Sequence, residues 1–533
     1  MTKMSFIKGA MILLIAGVLN RILGFIPRIT LPRIIGAEGV GIYQLSYPFL
    51  IVLLTFITGG IPLAIAKWIA EAQSIGDERR VKQIFRTAMI LSVSIALFLT
   101  SIMLLFAPIF IKYVIPDPRV YQSFLMMSPM LLIVGISAVY RGYFQGKQNM
   151  IPSALSQTIE TLLRIVFSLL LAYILLPYGL AWGAAGAMLG VVIGEIGGLA
   201  VMLLSHARDK KEPVDPVNYI AILPENEQAI PVTAQTIKSK SILKKLLALS
   251  IPVTGSKLVG SLSYLLESIF TARSLAAAGI ITGVATAQYG ALQGMVMPLI
   301  LLPTALTYSL AVSLVPSLSE AAAQKQYHLI QKRLHQSMRI SLVAGAPFTI
   351  IMFLFAAPIC ELLYAHGEYA PMLQLIAPIG IFIYLQAPLQ ATLQALDKPG
   401  IALMNTFIGA TIKIALIIIL GSNPQLGIQG VLIAIAINTV LVTLLHSYSV
   451  KRYVGFTMHA MDFVKVGGAI IITGAFAQYV MSLLTNQPLG ISLPTACIVA
   501  MIVYIFLMFV TKIIDKNDLV RIPYIGKWFA SNH

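Results

Sequence analysis

Residues 181–204 read AWGAAGAMLGVVIGEIGGLAVMLL, and Glu195 is the one charged side chain in the run. A helix needs roughly 20 apolar residues, at about 1.5 Å each, to cross a hydrocarbon layer of about 30 Å. Small residues recur along the run, as in membrane helices that pack backbone to backbone. Gly183-Ala184-Ala185-Gly186 and Gly194-Glu195-Ile196-Gly197-Gly198 follow no strand, so they are not read as a phosphate loop. Runs of the same kind recur on both sides. Candidate spans are 5–27, 39–63, 87–111, 121–140, 153–176, 181–204, 246–270, 283–311, 340–359, 371–394, 401–420, 427–450, 463–483 and 490–511. The second and eighth contain Pro48, Pro62, Pro298 and Pro303, which a membrane helix tolerates where neighbours satisfy the freed carbonyls. The expected fold is an all-α integral membrane protein with about fourteen transmembrane helices.

Composition points the same way. Of 533 residues, 58% are hydrophobic and 11% are charged, against about 25% charged in a soluble domain. Disorder is excluded as well, because so much apolar surface does not stay in water. The formal net charge of +17 favours a nucleic-acid partner only until the charges are placed. With the N-terminus inside, one side of the membrane collects 28 of the 37 lysines and arginines, among them Lys3, Lys8, Arg79, Arg80, Arg141, Lys147, Arg333 and Lys451. The opposite side has Arg28, Arg33, Lys112, Arg119 and Arg273. The positive-inside rule then puts both termini in the cytoplasm, and no nucleic acid is needed as a partner. Lys3 and Lys8 precede an apolar run, but no small-residue cleavage pattern follows before Arg21, so a signal peptide is not expected. Cys360 and Cys497 have no metal-ligand spacing and are read as packing residues. The seven histidines form no metal motif either.

Segment 205–242 is the one long hydrophilic stretch, rich in charge and proline, and reads as a cytoplasmic linker. The chain on its two sides is related at a constant offset of 249. Ala70-Glu71-Ala72 matches Ser319-Glu320-Ala321, Ser92 matches Ser341, Pro129 matches Pro378, Gln145 matches Gln394, and Arg164 matches Lys413. Repeats of this kind, related by an axis along the membrane normal, are a transporter architecture. The expected organisation is a six-helix lobe over 1–204, the linker 205–242, a second six-helix lobe over 243–454, and a helix pair with a cytoplasmic tail over 455–533. A substrate path between pseudo-symmetric lobes follows from it. Stretches 71–86 and 320–339 carry mixed charge beside the membrane and read as solvated helical segments.

Four cations fall within the spans: Arg21, Arg164, Lys257 and Lys413. A charge at mid-membrane costs about 2.5–3.5 kcal/mol on insertion scales, so such residues face a protein interior or a wet cavity. Arg28, at the outer end of the first span, stands seven residues after Arg21 and can share its helical face. The acids are Glu160, one turn before Arg164, together with Glu195 and Glu267. Structural pairs such as Glu160–Arg164 and Lys257–Glu267 are one reading. The other is a cationic cavity formed by Arg21, Arg28, Arg164, Lys257 and Lys413 that attracts an anionic headgroup, with guanidinium forks suited to phosphate oxygens. Glu267, Glu160 and Glu195 then balance charge or bind a coupling cation or proton. No Walker-type nucleotide motif and no nucleophile–base constellation is present, so neither direct ATP drive nor catalysis is expected.

The motifs then resemble a known family. Asn20-Arg21-Ile22-Leu23-Gly24-Phe25, followed by Arg28, resembles the opening motif of polysaccharide flippases. The resemblance continues through Gly36-Ala37-Glu38-Gly39-Val40-Gly41-Ile42-Tyr43-Gln44 and Gly60-Ile61-Pro62-Leu63-Ala64-Ile65-Ala66-Lys67, ending at Glu71. Tyr289-Gly290, Pro298-Leu299 and Leu314-Val315-Pro316-Ser317-Leu318-Ser319-Glu320 look like the stage V sporulation protein B branch. The resemblance covers most of the chain and implies the multidrug/oligosaccharidyl-lipid/polysaccharide exporter superfamily, in a branch shared with lipid II flippases. It implies that Arg21 and Arg28 match cavity arginines, with one residue inserted at Pro27. It also implies that Glu267 and Arg273 match an acidic and a basic position of the seventh span. The essential arginine of the classical lipid II flippase in span eight has no counterpart in Tyr289-Gly290-Ala291-Leu292-Gln293, which fits the sporulation branch better.

The function expected is a flippase of the bacterial cytoplasmic membrane. It moves an undecaprenyl-pyrophosphate-linked saccharide from the inner to the outer leaflet, lipid II-like or a polysaccharide repeat unit. The sporulation branch implies spore-cortex wall synthesis in a forespore-associated membrane, with wall-synthesis enzymes as partners. No cofactor is expected beyond coupling to membrane potential, Na+ or H+. Two alternatives stand beside it. A cation-coupled multidrug exporter needs an acidic cavity, whereas the spans hold more bases than acids. A non-transporting scaffold for wall synthesis depends on loop 205–242 and not on Arg21, Arg164 and Lys413.

Overall fold

A computed structural model describes residues 16, 17, 19–209 and 239–513 of the chain. Most of the first expected span, most of the linker and the tail beyond 513 therefore lie outside the described residues. The described ends of the linker are helical, since the helices flanking it end at Asp209 and begin at Ser239. The chain divides into two compact units, Met1–Ile269 and Phe270–His533.

The first unit contains α1 (Phe25–Thr58), α2 (Ile61–Ser74), α3 (Glu78–Tyr113), α4 (Val120–Met127), α5 (Met130–Gly146), α6 (Ile151–Leu175) and α7 (Leu180–Asp209). It also takes the first part of α8 (Ser239–Ala277), inside which the division falls. Its core includes Ile65, Ile69, Val81, Ile84 and Phe144, all almost fully buried. The second unit contains α9 (Thr282–Ile300), α10 (Thr304–Ala323), α11 (Tyr327–Leu354), α12 (Ala356–Tyr364), α13 (Ala370–Ile376), α14 (Gly380–Ala395), α15 (Pro399–Gly421), α16 (Ile428–Val454), α17 (Ala460–Leu483) and α18 (Leu489–Val510). Helix starts recur at nearly one offset: Glu78 and Tyr327 are 249 apart, and Ile151 and Pro399 are 248 apart.

By length and composition, twelve of the described helices can cross a membrane, or thirteen if one bent pair counts as a span. The bent pair is α9 with α10, turning by 57°. Pro303 stands at the break, and a π-helical turn, Ala291–Val296, precedes it. The sequence-based expectation of about fourteen differs mainly at the start. The loop expected between the first two spans is helical: α1 runs from Phe25 to Thr58 and only kinks at Gly36. With φ 66° and ψ 174°, Gly36 occupies a region essentially restricted to glycine. Pro27 lies in the first turn of α1, where the missing N–H has no intrahelical partner to lose. The helical run Leu19–Ser74 is 56 residues long, or about 84 Å, nearly three hydrocarbon thicknesses.

Two further features position the site. After the kink, Glu38 is held by Arg119 at 2.7 Å, and Arg119 is itself bonded to Asp117 at 2.8 Å. These carboxylates hold the Arg119 guanidinium still further into its charged form, Asp117 having the larger effect. Helices α6 and α7 then pack almost backbone to backbone: a Cβ added at Gly190 would stand 2.2 Å from the Ser168 amide nitrogen. Ser156 and Ser168 hydroxyls donate across the same interface to the carbonyls of Gly198 and Ala187, each at 2.9 Å. The stretch 71–86 forms a tight helical hairpin, with the Asp77 carboxylate accepting from the Arg80 amide at 2.9 Å and Arg80 paired to Glu71 at 2.7 Å.

Candidate functional site

The close approach of α6 and α7 brings two acids together inside an apolar bundle. Glu160 of α6 and Glu195 of α7 are 8% and 7% exposed. Like charges in a low dielectric repel strongly, so such a pair is relieved by neighbouring cations or by a proton on one acid. Arg141 of α5 supplies one, 2.9 Å from Glu160 Oε2 and 3.9 Å from Glu195 Oε2. Arg164 supplies the other, one turn along α6 and 3.5 Å from Glu160 Oε1, with Thr161 Oγ1 at 3.4 Å. Both guanidinium side chains remain about a third exposed (29% and 32%) while the acids are buried. Glu195 Oε2 and Arg141 Nε make no hydrogen bond. Capacity is therefore left over at both an acceptor and a donor, which is uncommon for buried polar atoms.

Helix α1 lines the same region with Tyr43 and Tyr47, whose rings stack 6.0 Å apart. Arg164 and Arg28 are both within electrostatic reach of these phenols, and Glu160 and Glu195 are within reach of Tyr47. Tyr264 of α8 joins the group through Tyr43, Tyr47, Arg28 and Glu267. Of the residues singled out in the sequence, Arg28, Arg164, Glu160, Glu195 and Glu267 thus belong to one electrostatic neighbourhood in the first unit. Arg141 was assigned to a membrane surface and was missed, because its partner Glu160 is 19 residues away on another helix. Tyr47 and Tyr264 were also missed. Tyr47 follows Tyr43 by one turn, a spacing that could have drawn attention to it.

Lys257 has a different partner. Its ammonium donates to the Gly59 carbonyl at 2.8 Å, at the C-terminal end of α1, where a cation meets unpaired carbonyls. The α1–α2 break packs closely on α8 there, since a Cβ at Gly60 would stand 2.3 Å from the Ser250 carbonyl oxygen. The Lys257–Glu267 pair considered from sequence does not form: ten residues along one helix separate them by about 15 Å. Arg21 is exposed just before α1. Arg273 and Lys413 lie in the second unit, on α8 and α15, exposed and half-buried respectively. The acids are not repeated there: Gly409 and Leu444 stand 249 positions after Glu160 and Glu195. The α15–α16 interface carries a neutral trio instead, with Asn405 Nδ2 3.1 Å from His446 Nδ1 and 3.0 Å from Ser449 Oγ.

Comparison with known proteins places this arrangement in a family. Residues 6–322 match the family described as "Polysaccharide biosynthesis protein". The chain belongs to that family. Residues 261–419 also match the family MatE. Stage V sporulation protein B of Bacillus subtilis (strain 168) is 38% identical over 531 residues, 99% of each chain. Lipid II flippase MurJ of the same organism is 24% identical over 467 residues, 85% of this chain and 83% of that one. Among solved structures, lipid II flippase MurJ in an inward closed conformation superposes with a TM-score of 0.70 at 16% identity, covering 96% of this chain and all of the other. An inward-facing multidrug resistance MATE transporter gives 0.63, also at 16% identity, over 82% of this chain and 94% of its own. The family is thus the flippase branch of the superfamily that the motifs resemble, a group of membrane transporters and not of enzymes. The protein is a multi-pass protein of the cytoplasmic membrane.

Proposed function

We propose that the protein is a flippase that carries an undecaprenyl-pyrophosphate-linked saccharide from the inner to the outer leaflet by alternating access. In this reading both termini are cytoplasmic and the chain crosses fourteen times, the 56-residue run Leu19–Ser74 accounting for two crossings. Family membership and the names of its relatives support a lipid-linked saccharide. The observation that carries the reading is the Arg141–Glu160–Arg164–Glu195 cluster, set within apolar helices and holding unused hydrogen-bonding capacity.

The chemistry follows from the inequality of the two arginines. Glu160 grips Arg141 at 2.9 Å but Arg164 only at 3.5 Å. A pyrophosphate offers Arg164 a bidentate partner, while Glu160 stays compensated by Arg141. Tyr43 and Tyr47 supply hydroxyl donors and apolar faces beside it, and Arg28 adds a second positive charge. Lys257 holds the α1–α2 junction on α8. Glu195, whose Oε2 lacks a hydrogen bond, is the group suited to a coupling proton or Na+. Outward transfer of a negative charge is downhill in an inside-negative membrane, by about 2.3 kcal/mol per charge per 100 mV.

The test is complementation of a cell depleted of its lipid II flippase, with membrane insertion checked by immunoblot. Wild type should rescue growth, Arg164→Ala should not, and Arg164→Lys should rescue in part, because a point charge lacks the fork. Unimpaired rescue by inserted Arg164→Ala makes the cluster a structural one. If inserted wild type fails both here and with other lipid-linked saccharides in proteoliposomes, the flippase reading falls. The MatE match over 261–419 favours, as a second reading, export of organic cations. Resistance to a cationic dye conferred by this chain would establish that reading.

A further inference from the structure

In the second unit, three metal-ligand atoms converge at the start of α17. His335 stands in the third turn of α11, His459 immediately precedes α17, and Asp462 lies in its first turn. Nε2 of His335 is 2.8 Å from Oδ2 of Asp462 and 2.8 Å from Nδ1 of His459. The three ligand atoms lie within 4.8 Å of one another. Proton accounting at Nε2 is awkward. If this nitrogen carries a hydrogen, one hydrogen faces two acceptors. If it does not, its lone pair can accept from His459 but then faces a carboxylate oxygen. A divalent cation among the three atoms gives every lone pair a partner.

The geometry points to a divalent transition-metal site formed by His335, His459 and Asp462, of the zinc class. Two imidazoles with one carboxylate suit zinc or a neighbouring late metal, whereas calcium and magnesium take oxygen ligands. Zinc bonds of about 2.0–2.1 Å set tetrahedral ligand atoms about 3.3 Å apart, so small side-chain shifts from 2.8 Å admit the ion. The surroundings hold the ligands in place. Helix α16 ends at Gly455 in a left-handed cap, Gln331 donates to the Val454 carbonyl at 2.6 Å, and the Phe456 ring lies 6.5 Å from that of His335. The site opens to solvent, with the His335 side chain 23% and that of Asp462 15% exposed, which leaves the fourth position to water. One turn after Asp462, Lys465 donates to the Thr511 carbonyl at 3.1 Å, so the ion would clamp the α17–α18 pair to α11. Spacing could not reveal the site, because 124 residues separate the two histidines.

The test uses full-length purified protein, freed of its affinity tag and stripped with a chelator, with zinc as titrant and binding measured by calorimetry and elemental analysis. One Zn2+ per chain is expected, resistant to competition by excess Mg2+. His335→Gln, His459→Gln and Asp462→Asn should each weaken binding by at least about tenfold, since loss of mere outer-shell partners already costs 10–100-fold. Zinc should raise the melting temperature of the wild type and not of these variants. His335→Cys guards against loss of folding: it keeps a ligand, and Co2+ bound there should gain a thiolate-to-cobalt charge-transfer band absent from the wild type. Absence of stoichiometric zinc in the wild type overturns the proposal. So does wild-type affinity in all three Gln and Asn variants, or Co2+ bound to His335→Cys without the band.

Discussion

At Glu160 the site depends on two contacts of unequal length, 2.9 Å to Arg141 and 3.5 Å to Arg164. Glu160→Gln keeps the shape and removes the charge. The variant should be destabilised by about 2 kcal/mol, below the 3–5 kcal/mol of a fully buried pair, because both guanidinium groups are only partly buried. Its transport should also fall, since Arg164 loses the group that aims it. Thermal unfolding in detergent, paired with a flipping assay, checks both effects. Lys257→Met should behave differently. It leaves the Gly59 carbonyl without its donor, at a cost of about 1 kcal/mol for one lost hydrogen bond. Substrate affinity should then change far less than in Arg164→Ala, which a competition assay with a soluble pyrophosphate analogue measures. Equal losses of affinity would make Lys257 a direct ligand. The sequence revealed that Glu160 and Arg164 share a face. Arg141 stayed hidden, because cross-helix partners depend on how α5 and α6 pack.

Helix geometry depends on positions where a side chain is excluded for different reasons. Gly36 has open space around its missing Cβ but φ 66°. Gly190 is in ordinary helix but has the Ser168 backbone 2.2 Å from where a Cβ would sit. Gly36→Ala should therefore cost about 1–3 kcal/mol through backbone strain alone and leave α6–α7 contacts intact. Gly190→Val should separate α6 from α7, at about 1–3 kcal/mol or more for overpacking, and disturb the Glu160–Glu195 pair as well. Thermal melts, with crosslinking of cysteines placed across α6 and α7, distinguish the two. If Gly36→Ala melts as the wild type does, the kink is not glycine-dependent. Of the prolines noted in the sequence, Pro303 stands at the α9–α10 bend, whereas Pro48 lies inside α1. The expected loop at 28–38 did not form, because hydropathy falls at the charges of Arg28 and Arg33 while the backbone needs only one glycine to bend.

For the whole molecule, transport of an anionic headgroup has an electrical signature. In proteoliposomes with a potassium-diffusion potential, collapsing 100 mV, inside negative, should slow outward flipping several-fold, since one charge crossing the full field is worth about 2.3 kcal/mol. A rate indifferent to the potential means that no net charge crosses with the lipid. Composition and run length determined the fold class without help from tertiary structure, because a hydrocarbon layer demands apolar runs of one length and satisfied backbones within them. The offset of 249 read from the sequence recurs between the helix starts at Glu78 and Tyr327. The motifs around Arg21, Gly36 and Gly60 pointed to the family by resemblance, and the comparisons support it. Tertiary structure alone decided which charges meet: Arg141 with Glu160, Lys257 with Gly59, and His335 with His459 and Asp462. These contacts join helices through side chains reaching across an interface, and hydropathy and periodicity carry no information about which faces come together.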